Sequence, residues 1–109
     1  MTRAVAICVL AGLSTSAFAI TPLDRAGAMA ADAGRVVGAA AGCGVPDPRT
    51  IAVSITAIGL IKAAGASPTS LKRAQAVYES VAARAQAETT ADPSRCPGAI
   101  KAFERAERN

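Results

Sequence analysis

The chain has 109 residues, of which 51% are hydrophobic, 18% charged and 3% aromatic, and this length allows one small domain at most. The absence of His excludes the Ser-His-Asp and Cys-His nucleophile systems, the HExxH zinc site and the histidine-ligated haem site. Ala, the strongest helix former, supplies 28 residues, and the composition therefore predicts an all-α fold.

The first nineteen residues have the three-part pattern of a secretory signal peptide. Arg3 provides the positive charge, an apolar run follows from Ala4 to Leu13, and the segment ends in small residues. We therefore predict that residues 1–19 are a signal peptide, cleaved between Ala19 and Ile20. The alternative is an N-terminal membrane anchor, which is disfavoured because crossing a bilayer takes roughly 20 apolar residues.

Cleavage at this position removes 19 of the 109 residues and leaves a single predicted domain of 90 residues, 20–109. The most apolar stretch within it, Ile51–Leu60, is too short to cross a membrane. Arg outnumbers Lys nine to three, which together with the Ala excess is typical of a GC-rich bacterial genome. We therefore expect the protein to be periplasmic or secreted.

The first predicted helix extends from Pro22 to Cys43, and Gly44 follows it as a residue that can end a helix. Gly34, Gly38 and Gly42 recur in it every four residues, so one face carries almost no side chains. Each interior Gly costs a soluble helix about 1 kcal/mol relative to Ala. This face is therefore a candidate for close packing against a neighbouring helix or for contact with a ligand or partner. The alternative is that a chain rich in Ala and Gly produces the spacing by chance.

Two cysteines remain after the predicted cleavage, Cys43 and Cys96. An even pair in a small exported protein predicts one disulfide. The bond would close a loop of about 54 residues, for which loop-closure entropy gives on the order of 4 kcal/mol of stability. A redox or metal-binding role is disfavoured, because neither Cys lies in a CxxC motif and no His can complete such a site.

The second predicted helix, Pro48–Ala64, is apolar on most of its circumference. Ile51, Ile55 and Ile58 follow helical spacing, and further apolar residues lie on the adjoining faces. This distribution predicts the central and most buried helix of the fold. The alternative is that a partner or a membrane covers its surface.

The third and fourth predicted helices are amphipathic. The third, Pro68–Thr90, has an apolar stripe that includes Tyr78, whose hydroxyl needs a hydrogen-bond partner or a place at the rim. The fourth starts at Cys96 or Pro97, ends at Arg108, and should bury Phe103. Three helices follow a polar residue and a proline, a pattern typical of helix starts, namely Asp47-Pro48, Ser67-Pro68 and Asp92-Pro93.

Four helices joined by short turns predict a small up-down bundle. In that order the first helix ends, and the fourth begins, at the same end of the bundle. The predicted bond between Cys43 and Cys96 therefore fits the simplest topology.

The charge balance is mildly basic. Residues 20–109 contain eleven basic and eight acidic residues, and no basic run is longer than Lys72-Arg73. Nucleic-acid surfaces combine a concentrated basic face with aromatic side chains, so we expect no nucleic-acid partner. One edge of the fourth helix could attract anionic lipid weakly, as an alternative to an ordinary solvated face; it consists of Lys101, Arg105 and Arg108.

No group of residues predicts catalysis. The carboxylate pairs Glu88/Asp92 and Glu104/Glu107 fall on polar faces near helix ends, where no pocket would shift the pKa of a general acid. The sequence contains neither a phosphate-binding loop nor a dinucleotide-binding fingerprint. We therefore expect a protein that is not an enzyme and that holds no cofactor or metal.

By elimination, the sequence predicts an exported binding or interaction protein. The layout, a short exported helical chain with one long-range disulfide, resembles that of the acid-activated chaperones of the enteric periplasm, although the net charge here is basic and no motif is shared. The resemblance implies an alternative function as an acid-stress chaperone with unfolded clients. Protonation of the eight carboxylates would leave eleven positive charges, which would loosen a small bundle.

Overall fold

The computed structural model describes the chain from Pro22 to Asn109. It contains four α-helices and one short 3-10 turn, and there is no strand in this part of the chain, which confirms the all-α prediction. The predicted signal peptide, its cleavage site and the alternative membrane anchor lie outside the described residues. The helices are α1 (Pro22–Gly42), α2 (Asp47–Ala63), α3 (Pro68–Ala91) and α4 (Cys96–Arg108), with the 3-10 turn at Pro93–Arg95.

Two of the three predicted helix starts are capped as expected. The Ser67 side chain accepts a hydrogen bond from the backbone N–H of Ser70 at 3.1 Å, at the start of α3. The Asp92 carboxylate accepts one from the Ser94 N–H at 3.3 Å, at the start of the 3-10 turn. Asp47 does not cap α2, because it is already the first helical residue and Pro46 holds the cap position. Its carboxylate instead lies in the first turn, where its negative charge interacts favourably with the positive end of the helix dipole.

Two glycines end helices in the left-handed backbone region. Gly44 after α1 has a φ of 89°, and Gly65 after α2 has a φ of 92°. Residues with a side chain rarely adopt such angles, so these two glycines set where the chain turns back.

α1 and α3 pack directly against each other and run in the same direction. Gly34 lies against Tyr78, Gly38 against Ala82, and Gly42 against Gln86, so residue numbers rise together along both helices. This common direction is consistent with the predicted up-down order, in which the first and third helices point the same way.

The core consists of two small clusters, in which alanine is the commonest residue. The lower cluster joins the starts of α1 and α3 to the end of α2 and contains Ala26, Ala30, Ile61 and Ala74. The upper cluster lies near the end of α1 and contains Val37, Ala40, Val45 and Phe103. Tyr78, which is partly buried, packs against both clusters.

The prediction that the second helix is the most buried is wrong. Only Thr50 and Ile61 of α2 are buried. Its large apolar side chains are widely exposed, with exposed fractions of 56% for Ile51, 65% for Ile55, 44% for Ile58 and 55% for Leu60. The physical reason is that α3, not α2, occupies the glycine face of α1, and α2 is left on the outside of that pair.

The disulfide between Cys43 and Cys96 is present, and the two Cα atoms are 5.6 Å apart. It joins the end of α1 to the start of α4. α4 then places Phe103 in the upper cluster with no exposed surface. The Arg49 guanidinium of α2 covers this ring, with its central carbon 5.4 Å from the ring centroid.

Candidate binding surface

The glycine face of α1 is in contact with α3 along its length. A Cβ added to Gly34 would lie 2.9 Å from the Tyr78 carbonyl oxygen, and one added to Gly38 would lie 2.7 Å from the Ala82 Cα. Both distances are shorter than real Cβ atoms tolerate. Gly34, Gly38 and Gly42 are therefore sites of close helix packing, and α3 covers the face that a partner or ligand would otherwise contact.

Thr89 fixes the upper end of this interface. Its hydroxyl donates a hydrogen bond to the Ala39 carbonyl of α1 at 2.9 Å, and the residue is only 4% exposed. A Cβ on Gly42 would overlap that hydroxyl. This contact is not predictable from the sequence, because a threonine near a helix end gives no signal of the helix that it contacts.

Within residues 25–109, the large apolar side chains that are exposed lie on α2. Ile51, Ile55 and Ile58 are spaced by four and three residues and therefore lie on one side of the helix. We call these three residues the isoleucine face. Leu60 is also exposed, but it lies about 180° around the helix from Ile51 at about 100° per residue. The exposure of several isoleucines side by side is typical of an interaction surface, whereas single exposed apolar residues are common everywhere.

A groove of about 260 Å³ lies beside the isoleucine face, between α2 and the α1–α3 pair. Its walls are mostly apolar and include Ile58, Ile61 and Leu71, while Lys62 lies at its edge. It is slightly smaller than the pockets of about 300–1,000 Å³ that hold most small ligands. The groove and the isoleucine face form one continuous apolar surface, since Ile58 belongs to both.

Two polar side chains that line the groove, Ser54 and Tyr78, are hydrogen-bonded to each other. Ser54 donates its hydroxyl proton to the Thr50 carbonyl at 2.9 Å, and the Ser54 oxygen is also paired with the Tyr78 hydroxyl. Because Ser54 has a single proton, Tyr78 is the donor in the second bond. The prediction that the Tyr78 hydroxyl finds a partner is thus confirmed.

Two of the four carboxylates singled out in the sequence are held in the ionised form. Arg49 donates hydrogen bonds of 2.6 and 2.9 Å to Glu107, and this lowers the pKa of the Glu107 carboxyl below its ordinary value. A hydrogen bond from the Ser94 side chain lowers the pKa of Asp92 in the same direction. A general acid needs the opposite shift. In this structure Glu107 forms an ion pair that connects α4 to α2, and Asp92 caps the 3-10 turn.

Two further properties concern only the described part of the chain. None of its helices combines the length and hydropathy that crossing a membrane requires. It also contains no group of three or more His, Cys, Asp or Glu residues arranged to hold a metal ion. The basic edge predicted on the fourth helix is exposed, and it consists of Lys101, Arg105 and Arg108.

Comparison with protein-family models, with curated proteins and with solved structures found no match to this chain. The described residues form a small all-α bundle with one disulfide and an exposed isoleucine face.

Proposed function

We propose that this protein is an exported, non-enzymatic binding protein, and that it holds its partner on the isoleucine face of α2 and the adjoining groove. The exposure of Ile51, Ile55 and Ile58 carries this proposal. Fully burying an exposed side chain of this size contributes roughly 1.5–3 kcal/mol. Because these three are already about half covered, a partner gains roughly half of that from each.

The contrast with the core strengthens this proposal. Inside the molecule the chain buries mainly alanine and valine, whereas three of its isoleucines lie side by side in solvent. Export is supported by the signal-peptide pattern in the sequence and by the disulfide, because disulfides persist in oxidising compartments.

The first test is an intact-mass measurement on the untagged protein isolated from its own extracytoplasmic fraction. Under denaturing conditions we expect a chain that starts at Ile20 and lacks two protons, one from each of Cys43 and Cys96. The full-length chain, or free thiols, would contradict export.

The second test uses native mass spectrometry to compare two variants with the unmodified protein. We expect a stoichiometric additional mass that Ile55→Lys loses and Leu60→Lys keeps, because only the first substitution places a charge in the isoleucine face. Leu60 is a matched control, since it is also a large apolar residue that is 55% exposed on the same helix. A bare monomer in the unmodified protein, or equal behaviour of the two variants, would contradict this binding surface.

A second candidate function is the acid-stress chaperone, which the same exposed face favours. In acid the Glu107 carboxylate becomes protonated, and its hydrogen bonds to Arg49, which connect α4 to α2, weaken. Such a chaperone suppresses aggregation of unrelated unfolded proteins as the pH falls. A protein dedicated to one partner leaves that aggregation unchanged, so a light-scattering assay from neutral to acid pH separates the two functions.

A further inference from the structure

The charged and apolar residues on one side of α2 follow an order that is nearly symmetric about the middle of the helix. Asp47 lies at the start, Lys62 near the end, and the isoleucine face between them. At about 100° per residue, all five residues fall within an arc of about 80°. The face therefore has an apolar centre and opposite charges at its two ends.

We infer that the partner held by this face is a second copy of the same chain, with the two α2 helices packed antiparallel about a two-fold axis. In that arrangement Asp47 lies opposite the partner's Lys62, Ile51 lies opposite the partner's Ile58, and Ile55 lies beside the axis. The inference rests on the proposed function, since it uses the isoleucine face as the binding surface.

Charge complementarity selects this arrangement over a parallel one. Antiparallel helices bring each Asp47 to a Lys62, whereas parallel helices would bring Asp47 to Asp47 and Lys62 to Lys62. Residues 50–61 carry no charge, so the centres of the two faces meet without repulsion. Neither Asp47 nor Lys62 takes part in the ion pairs of residues 25–109, which join Arg35 to Asp32, Arg49 to Glu107 and Arg95 to Asp92.

The symmetry of such a contact also meets the requirement of a closed dimer. Two-fold contacts are isologous, so one patch must be complementary to itself. The pairs Asp47–Lys62 and Ile51–Ile58 meet this condition because both are centred on the same point of α2, between residues 54 and 55. The partner's Ile51, opposite Ile58, then lies at the mouth of the groove beside α2.

The test begins with sedimentation velocity on the purified disulfide-bonded protein, from about 1 µM to about 500 µM, a range that covers weak self-association. We expect a concentration-dependent dimer. Ile55→Lys should raise the dissociation constant more than tenfold, because two ammonium groups would meet at the axis. The matched control Leu60→Lys, which adds the same charge elsewhere on α2, should leave the dissociation constant unchanged.

A charge exchange tests the direction of pairing. Asp47→Lys alone and Lys62→Asp alone should each weaken the dimer by roughly tenfold, because each places like charges together at both ends. The double variant Asp47→Lys/Lys62→Asp restores opposite charges in an antiparallel dimer and should recover most of the association. Circular dichroism at low concentration verifies that each variant remains helical, since both substitutions oppose the dipole of α2.

Three results would overturn the inference: a monomer over the whole concentration range, a dimer that Ile55→Lys leaves intact, or a double variant that dimerises no better than the single ones. The proposed function is judged separately, by native mass. If the isolated protein carries a different partner that Ile55→Lys releases, the binding surface stands and the second copy is wrong. If it carries nothing and remains monomeric, both are wrong.

Discussion

The interface between α1 and α3 and the surface of α2 use opposite kinds of residues. At the interface, Gly34 and Gly38 have no side chain, and they bring the backbones of α1 and α3 into contact. α2 carries the largest concentration of isoleucine in the described chain, and its isoleucine face is mostly in solvent. The amount of apolar side chain on a helix therefore does not decide where that helix packs. In this fold, the position of a helix depends more on how closely its backbone can approach that of its neighbour.

The two regions also differ in what ordering them costs. Glycine and alanine lose almost no side-chain entropy when they are buried, and the cost of ordering the glycines lies in their backbone freedom instead. Isoleucine loses roughly 0.5–1 kcal/mol of rotamer freedom when it is fixed. That cost on the isoleucine face is incurred only when something covers it.

Removal of the disulfide should give the largest loss of stability. The double variant Cys43→Ser/Cys96→Ser loses a link across a loop of about 54 residues, and we expect the free energy of unfolding to fall by about 4 kcal/mol. α4 should separate first, because it packs chiefly on α1 and has little contact with α3. Urea unfolding followed by circular dichroism measures the change. Reduced unmodified protein should match the variant, and an unchanged urea midpoint would contradict the prediction.

A single methyl group should disrupt the α1–α3 contact. In Gly38→Ala the new Cβ overlaps the Ala82 backbone, so we expect a loss of about 3 kcal/mol despite the better helix propensity of Ala. Gly27→Ala is the matched control in the same helix, because nothing lies within 4 Å of its added Cβ. It should gain up to about 1 kcal/mol. Equal effects of the two substitutions would show that the close approach contributes nothing.

The bridge from α2 to α4 should respond to pH. The hydrogen bonds from Arg49 hold the pKa of Glu107 below its unfolded value, so they stabilise the fold above that value. This stability is lost as the pH falls through the lowered pKa. Glu107→Gln should therefore unfold at lower urea than the unmodified protein at neutral pH, and the difference should shrink in acid. Glu88→Gln, exposed on α3, is the control; a difference that is constant with pH would contradict this account.

The smallest effect is expected on the isoleucine face itself. Ile55→Ser, measured at a concentration where the protein is monomeric, should change the free energy of unfolding by no more than about 0.5 kcal/mol, because the residue is 65% exposed. Ile61→Ser on the same helix is the contrast, since Ile61 is 4% exposed and its loss should cost about 3 kcal/mol or more. Thermal unfolding of both variants compares the two sides of α2 directly.

Local features of the sequence predict the helices and the disulfide. Proline and small polar residues mark where Pro68 begins α3, and two remaining cysteines leave one possible pair, Cys43 with Cys96. Tertiary features depend on which helices contact each other. The glycine spacing indicates that another helix approaches α1 closely. It does not predict that this helix is α3, because no sequence pattern in α3 indicates the contact.

The prediction that α2 is the most buried helix was wrong for a similar reason. A helix with apolar residues on most sides satisfies the pattern of a central helix, and periodicity alone does not distinguish a covered side from an open one. The inner side of α2 carries two polar residues, Thr50 and Ser54. Their hydroxyls donate hydrogen bonds to carbonyls of the same helix. Thr50 and Ser54 therefore lie on the side of α2 that packs, and Ile55 lies on the side that does not.

The bond between Cys43 and Cys96 also closes residues 43–96 into a covalent ring, from which the chain continues on both sides. α2 and α3 lie wholly within the ring, and the exposed turn at Gly65 between them belongs to it. A protease that cuts the backbone at this turn breaks one strand of the ring but releases no fragment, since the sulfur bridge still connects both pieces. The cut molecule gains only the mass of one water. The nicked chain therefore remains one molecule until its disulfide is reduced.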